Sequence, residues 1–144
     1  MVVRSATESG TTLTLAIGSG RTAREHFRHT PPSPLELENA IATVEDEVTR
    51  ARTMVNAAVP LYTSDPDLRA IAKLAGVPEG DRMQLSVEAI ERTFDRLASV
   101  VLGQPASRMG LPRDNSFAAT LLILREFMHH LQCTSITCVE VGAD

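Results

Sequence analysis

The sequence predicts an α+β domain in which a small, mostly antiparallel sheet packs against about four helices. Two observations support the sheet: apolar and polar residues alternate near the N-terminus, and a β-branched segment lies near the C-terminus. Helical periodicity between these regions supports the helices. A helical bundle that carries a β-hairpin appendage is the alternative. The 144 residues fit a single domain over residues 1–144 with an ordinary hydrophobic core.

The N-terminal part predicts a three-strand meander. Leu13, Leu15 and Ile17 alternate with less apolar neighbours, which is typical of a half-buried strand. Glycine-containing turns precede and follow this strand. The predicted strands are residues 2–8, 11–18 and 21–29, and the third could also be a short helix.

The first helix has a well-marked start. Prolines precede it, and Ser33 with Glu36 three residues later forms a capping box. Pro34 suits the first helical position. A repeat of apolar residues, spaced alternately four and three apart, then predicts a helix over residues 33–58: Leu37, Ile41, Val44, Val48, Ala51, Val55 and Ala58.

Three further helices and one strand are predicted after it. Pro66 and Gly76 bound a short helix over residues 65–76. A longer helix is expected over residues 81–102, and another starts near residue 114 or 115. In this last helix Leu122 and Ile123 widen the apolar stripe, which predicts burial on more than one side. Residues 103–112 form a glycine- and proline-rich loop, and residues 135–141 form a strand that joins the N-terminal sheet.

Composition and charge disfavour several functional classes. A net charge of −4 and a 3% aromatic share disfavour nucleic-acid binding, which needs clustered cations and stacking side chains. No apolar run is long enough for a membrane span or a signal peptide. Cys133 and Cys138 do not resemble a disulfide framework. We therefore expect a cytoplasmic protein with no nucleic-acid or membrane partner.

A basic cluster supplies the candidate binding residues. Arg21, Arg24, His26 and Arg28 lie close together in the sequence, and alternate residues of a strand share one face. Guanidinium groups bind carboxylates and phosphates through paired hydrogen bonds. The predicted ligand-binding residues, which meet where this cluster approaches the loop, are Arg21, Arg24, His26, Arg28, Arg108 and Arg113. A solvated strand face, or pairing with the acidic residues 45–47, is the alternative interpretation.

Other motifs are too weak to assign chemistry. The Gly18–Thr22 segment lacks the glycine fingerprint and the lysine of phosphate-binding loops. His129, His130 and Cys133 do not follow a metal-ligand spacing, and His130 is explained by an ion pair with Glu126 four residues earlier. The sequence therefore assigns no metal, no catalytic residue and no cofactor.

Two functions of different class follow from these patterns. The first is a non-enzymatic interaction or ligand-binding domain that forms a homo-oligomer through helix 33–58. The alternative is a small enzyme or anion-binding protein that recognises a small anionic ligand, a carboxylate or a phosphate, through the Arg/His cluster. The sequence does not decide whether the protein is an enzyme.

Overall fold

One mixed sheet and the helices packed on it make up the fold. The structure is a computed structural model that describes residues 2–5, 12–14, 25–51, 61–112 and 115–139. Its elements, in chain order, are β1 (Val2–Ser5), β2 (Thr12–Thr14), α1 (Pro34–Ala51), β3 (Leu61–Thr63), α2 (Pro66–Leu74), β4 (Arg82–Ser86), α3 (Val87–Val101), α4 (Ala106–Met109), α5 (Asn115–His130) and β5 (Ser135–Val139).

The strand order within the described sheet is β2-β1-β3-β5-β4. Only the β3–β5 pairing is parallel, and the other three are antiparallel. The C-terminal strand therefore lies in the same sheet as the N-terminal hairpin, as predicted. This arrangement of sheet and helices confirms the α+β class.

Helix α5 lies at the centre of the core. Its side chains are buried around most of the helix circumference, because α1, α2 and α3 all pack against it. Leu121, Leu122, Ile123 and Leu124 are consecutive and all buried. This burial confirms the prediction that the wide apolar stripe contacts the core on more than one side.

The capping box starts α1 as predicted. The Ser33 backbone N–H donates to Glu36 Oε1 over 2.9 Å, and the Glu36 N–H donates to Ser33 Oγ over 3.2 Å. Leu37, Val44 and Val48 of the apolar repeat are buried in the core. In the described part of α1 the repeat thus faces the interior of its own chain. Val55 and Ala58 lie outside the described residues, so self-association through helix 33–58 stays a prediction.

The Glu36 carboxylate makes the start of α1 sensitive to pH. Hydrogen bonds from the backbone of Ser33 and of Arg28, together with His29, lower the pKa of Glu36 to about 2. Because this pKa is lower in the folded state, the stabilisation is present above the unfolded value of about 4.5 and is lost as the pH falls toward 2.

We expect Glu36→Gln to lower the free energy of unfolding by about 1 kcal/mol at pH 7, because a neutral amide oxygen accepts hydrogen bonds more weakly than a carboxylate. The difference from the native chain should shrink as the pH is lowered from about 4.5 to 2. Urea denaturation across this range measures it. Glu38→Gln, at an exposed position on the same helix, is the control, and a difference that did not change with pH would contradict this role.

The third predicted strand is wrong over its described part. Glu25 and His26 are helical, and residues 27–30 are neither helix nor strand. Phe27 is buried in the core, and the Arg28 N–H donates to Glu36 Oε2 over 2.7 Å. This backbone N–H is bonded to a side chain in the first turn of α1 and not to a neighbouring strand. The segment therefore leads into α1 and is not part of the sheet. Residues 21–24 lie outside the described residues.

The predicted helix over residues 81–102 begins later than expected. Residues 82–86 form β4, in which Met83 and Leu85 are buried while Arg82 and Gln84 are exposed. This alternation fits the antiparallel pairing with β5. Ser86 then caps α3, because its Oγ accepts the Ala89 N–H over 3.2 Å. Strand β3, which has three residues, was also not predicted.

The remaining elements agree with the sequence patterns. Asp65 caps α2 and Gly76 follows it with φ of +89°, a conformation that glycine adopts readily. The loop over residues 103–112 contains only the short helix α4. No helix in the described ranges combines the length and apolar character that a membrane crossing requires.

Candidate functional site

A cleft of about 430 Å³ opens between four parts of the chain. These parts are Pro31 with Pro32, the C-terminal end of α3, the loop 103–112 and the first residues of α5. Most of the lining is apolar, including Leu97, Val100 and Leu111. The cleft thus lies beside the glycine- and proline-rich loop that the sequence marked as a candidate site.

Arg96 holds the loop side of the cleft in place. Its Nε donates to the Met109 carbonyl over 2.9 Å, and its Nη1 donates to the Leu74 carbonyl over 3.1 Å. A third, longer bond joins Nη2 to the Gly110 carbonyl at 3.4 Å. One side chain of α3 therefore fastens both the end of α4 and the end of α2.

Gly110 allows the chain to turn back beneath Arg96. It ends α4 with φ of +69°, in the left-handed region that glycine adopts at low cost. A Cβ at this position would lie 2.9 Å from Arg96 Nη2. Glycine is therefore favoured here both by its backbone conformation and by the nearby guanidinium.

Asn115 fixes the opposite side of the cleft. Its Nδ2 donates to the His29 carbonyl over 3.0 Å and to Thr30 Oγ1 over 3.2 Å. These bonds join the start of α5 to the segment that carries Pro31 and Pro32, where the Thr30–Pro31 peptide bond is cis. The two walls are thus fixed by two side chains, Arg96 and Asn115, that no motif marked.

Three polar side chains interrupt the apolar lining: Gln104, Ser107 and Asn115. The Oδ1 atom of Asn115 is buried and has no hydrogen-bond donor among the described residues. An unsatisfied buried acceptor costs about 1–3 kcal/mol. Because this atom is shielded from solvent, the polar groups that a bound molecule can reach are those of the exposed residues Gln104 and Ser107.

The predicted arginine site is only partly described. His26 is half-buried, whereas Arg28 and Arg108 are exposed. Arg108 lies on α4 beside Ser107, and Arg28 lies three residues before Pro31, so both border the segments that line the cleft. Arg21, Arg24 and Arg113 lie outside the described residues. Their participation in one site stays a prediction.

The two cysteines have the environment of packing residues. Both are buried, and burial raises the pKa of Cys133 and raises that of Cys138 to about 11. Thiols in such surroundings are protonated near neutral pH and react slowly.

Comparison with known proteins reveals a likeness of fold. No protein-family model and no curated protein matches the chain. Among solved structures, the chain is similar to the Aquifex aeolicus member of the Ppx/GppA protein family, with a TM-score of 0.67 and 14% sequence identity. The match covers 90% of this chain but 44% of that protein. At this identity the likeness concerns the fold, and the chain spans less than half of its structural neighbour.

Proposed function

We propose that this chain is a ligand-binding domain that takes a small, partly apolar molecule into the cleft between loop 103–112 and α5. The observation that carries the proposal is the cleft itself. Its volume of about 430 Å³ lies within the range of about 300–1,000 Å³ that small-molecule sites occupy. Predominantly apolar walls with a few polar groups are also typical of such sites.

The polar groups indicate the chemistry of the ligand. Gln104 and Ser107 are exposed in the lining, so a donor on the ligand gains a hydrogen-bond partner there. Leu97 and Leu111 provide apolar contact area. A planar or branched apolar molecule with one N–H or O–H group therefore fits these walls better than a fully charged one.

An anionic group on the ligand is a second candidate. It rests on two exposed side chains, Arg28 and Arg108. Arg108 directly follows the lining residue Ser107, and Arg28 precedes the lining residue Pro31 on the other side of the cleft. Guanidinium groups at the rim can bind a carboxylate or phosphate that remains outside the apolar part. In this second mode of binding, the apolar part of the ligand lies inside the cleft and its anionic group lies at the edge of the cleft.

Indole is a suitable first probe because it combines an apolar ring with one N–H donor. In NMR titrations we expect the amide signals of residues lining the cleft to shift, with a dissociation constant of about 1 mM, since indole has few atoms to contribute binding energy. Benzofuran has nearly the same shape but no donor. It should bind about fivefold more weakly if the ligand donates a hydrogen bond to Gln104 or Ser107.

Variants separate this cleft from the rest of the surface. Ser107→Trp places a bulky ring at an exposed lining position and should abolish the indole shifts, whereas Thr49→Trp on the exposed face of α1 should not. Shifts scattered over the whole surface would contradict a specific cleft.

If the ligand carries an anionic group, phosphate should shift the signals near Arg108 in the native chain but not in Arg108→Gln. The control is Arg92→Gln, which changes an exposed arginine of α3.

A further inference from the structure

Three side chains from two helices converge on the side of α5 that faces α1. Glu126 and His130 lie one turn apart on α5, and Glu126 Oε2 lies 3.2 Å from His130 Nε2. This contact confirms the predicted pairing of the two residues. Glu45 of α1 brings a second carboxylate to the same nitrogen, with its Oε1 at 3.3 Å. One imidazole nitrogen therefore faces two carboxylate oxygens.

We propose that Glu45, Glu126 and His130 form a binding site for a divalent transition-metal ion, for which Zn²⁺ is the representative. One ligand atom from each of the three residues lies within 4.8 Å of the other two. Carboxylate and imidazole ligands together suit zinc and its neighbours in the periodic table. The site is separate from the cleft and does not depend on the function proposed for it.

Two of the three distances between the ligand atoms match tetrahedral coordination. Zinc binds nitrogen and oxygen ligands at about 2.0–2.1 Å, so two such ligands of a tetrahedron lie about 3.3 Å apart. The two separations from His130 Nε2 are 3.2 Å, to Glu126, and 3.3 Å, to Glu45. The two carboxylate oxygens lie within 4.8 Å of each other, so Glu45 and Glu126 would close around an ion that His130 already faces.

Hydrogen bonding within the cluster favours an added cation. A neutral imidazole nitrogen carries at most one hydrogen, and ionised carboxylates only accept hydrogen bonds. His130 Nε2 can thus donate fully to only one of its two neighbours, Glu45 or Glu126. A metal ion at this point would accept electron pairs from the nitrogen and from both oxygens.

Arg125 prepares Glu126 for such a role. The Glu126 side chain is only 5% exposed, and Arg125 Nη1 lies 3.0 Å from its Oε1. The Arg125 guanidinium is itself held 4.3 Å from the centre of the Phe94 ring and 3.4 Å from a Glu91 carboxylate oxygen. A second group that orients a ligating carboxylate is typical of metal sites. Because Arg125 pairs with Oε1 of Glu126, the other oxygen of this carboxylate, Oε2, faces His130.

The site is accessible from solution. The side chains of Glu45 and His130 are 46% and 31% exposed, so an ion can enter without unfolding of the core. Three protein ligands also leave a fourth position of a tetrahedral ion for water or another molecule. The ion would link α1 to α5 at the end of α5 that lies away from the cleft.

A neighbouring pair of residues offers a matched control. His129 also contacts a glutamate, Glu91 of α3, and is likewise near the end of α5. Among the described residues only the Glu45, Glu126 and His130 group brings three ligands together. Replacement of His129 therefore removes a histidine–glutamate pair without removing a proposed ligand.

Calorimetric titration of the chelator-treated full chain with ZnCl₂ tests the site. We expect one equivalent to bind, and we expect Glu45→Gln and His130→Gln each to weaken binding at least tenfold. His129→Gln should change the affinity by less than about twofold. Co²⁺ in place of Zn²⁺ should give the visible absorption of a tetrahedral complex in the native chain and lose it in Glu45→Gln.

Two results would overturn the proposal. The first is the absence of one-equivalent binding by the native chain. The second is binding that Glu45→Gln and His130→Gln leave unchanged, because the ion would then lie elsewhere, for example at the cysteines. Glu45 is the decisive position, since its side chain is half-exposed and its replacement should preserve the fold, as circular dichroism can verify. If His130→Gln fails to fold, Glu45→Gln alone decides.

Discussion

Leu122→Ala is expected to lower the free energy of unfolding by about 3 kcal/mol, within the range of about 2–5 kcal/mol for such truncations in protein cores. Leu122 is 0% exposed and belongs to the run of consecutive buried residues in α5. Removal of three carbon atoms there loses transfer free energy and leaves a cavity, because helices on several sides of α5 cannot all move inward together. Urea denaturation measures the change.

An exposed leucine provides the control for this substitution. Leu102, just after α3, is 79% exposed, so Leu102→Ala should change the free energy of unfolding by less than about 0.5 kcal/mol. A loss below about 1 kcal/mol for Leu122→Ala would contradict its tight packing. It would mean that α5 is covered on one side only.

Arg96→Ala should have the second largest effect, a loss of about 2–3 kcal/mol of unfolding free energy. Hydrogen bonds from a charged donor contribute about 1.5–3 kcal/mol each when buried, but the carbonyls of Met109 and Gly110 lie near the surface and water can replace part of the loss. The loop 103–112 should also become more sensitive to proteolysis, because Arg96 joins its end to α3.

Two related substitutions sharpen the interpretation of Arg96. Arg92→Ala changes an exposed arginine on the same helix, so its effect should stay within about 0.5 kcal/mol. Arg96→Lys keeps the charge but cannot reach three carbonyls in the geometry of a guanidinium, so we expect an intermediate loss. If Arg96→Lys matched the native chain in stability and in protease resistance of the loop, charge alone would explain the role of Arg96. Because residues of this loop line the cleft, we also expect Arg96→Ala to weaken indole binding.

Local patterns predicted those parts of the fold that depend on nearby residues. The capping box of Ser33 and Glu36, the Asp65 cap and the two-sided burial of α5 all follow from spacings of a few residues. The last strand also agrees, because its β-branched residues favour a sheet. The predicted strand over residues 21–29 is wrong at Glu25 and His26, which are helical. The residues of this segment also suit a helix.

Strand β4 shows why local patterns were insufficient elsewhere. Residues 82–86 precede a long helical stripe, and a short alternation of buried and exposed residues next to such a stripe is easily assigned to the helix. The decisive contact is the pairing of Met83 with Cys138, which is distant in sequence. Only the folded chain brings the two strands together.

The candidate sites show the same division. The sequence marked loop 103–112 and the pairing of Glu126 with His130, and the structure shows a cleft beside the first and a close contact in the second. The sequence patterns did not identify Arg96, Asn115 or Glu45 as site residues. Each of these acts on atoms far away along the chain, and no spacing reveals such a contact.

The sequence by itself thus determined the α+β class, where α1 and α2 start and the burial of α5, because caps and periodicity are short-range effects. The tertiary structure alone decided the sheet order, the cleft and the meeting of Glu45 with His130. These features depend on which distant segments pack together. That choice is made by the burial of apolar surface across the whole domain and not by any single segment.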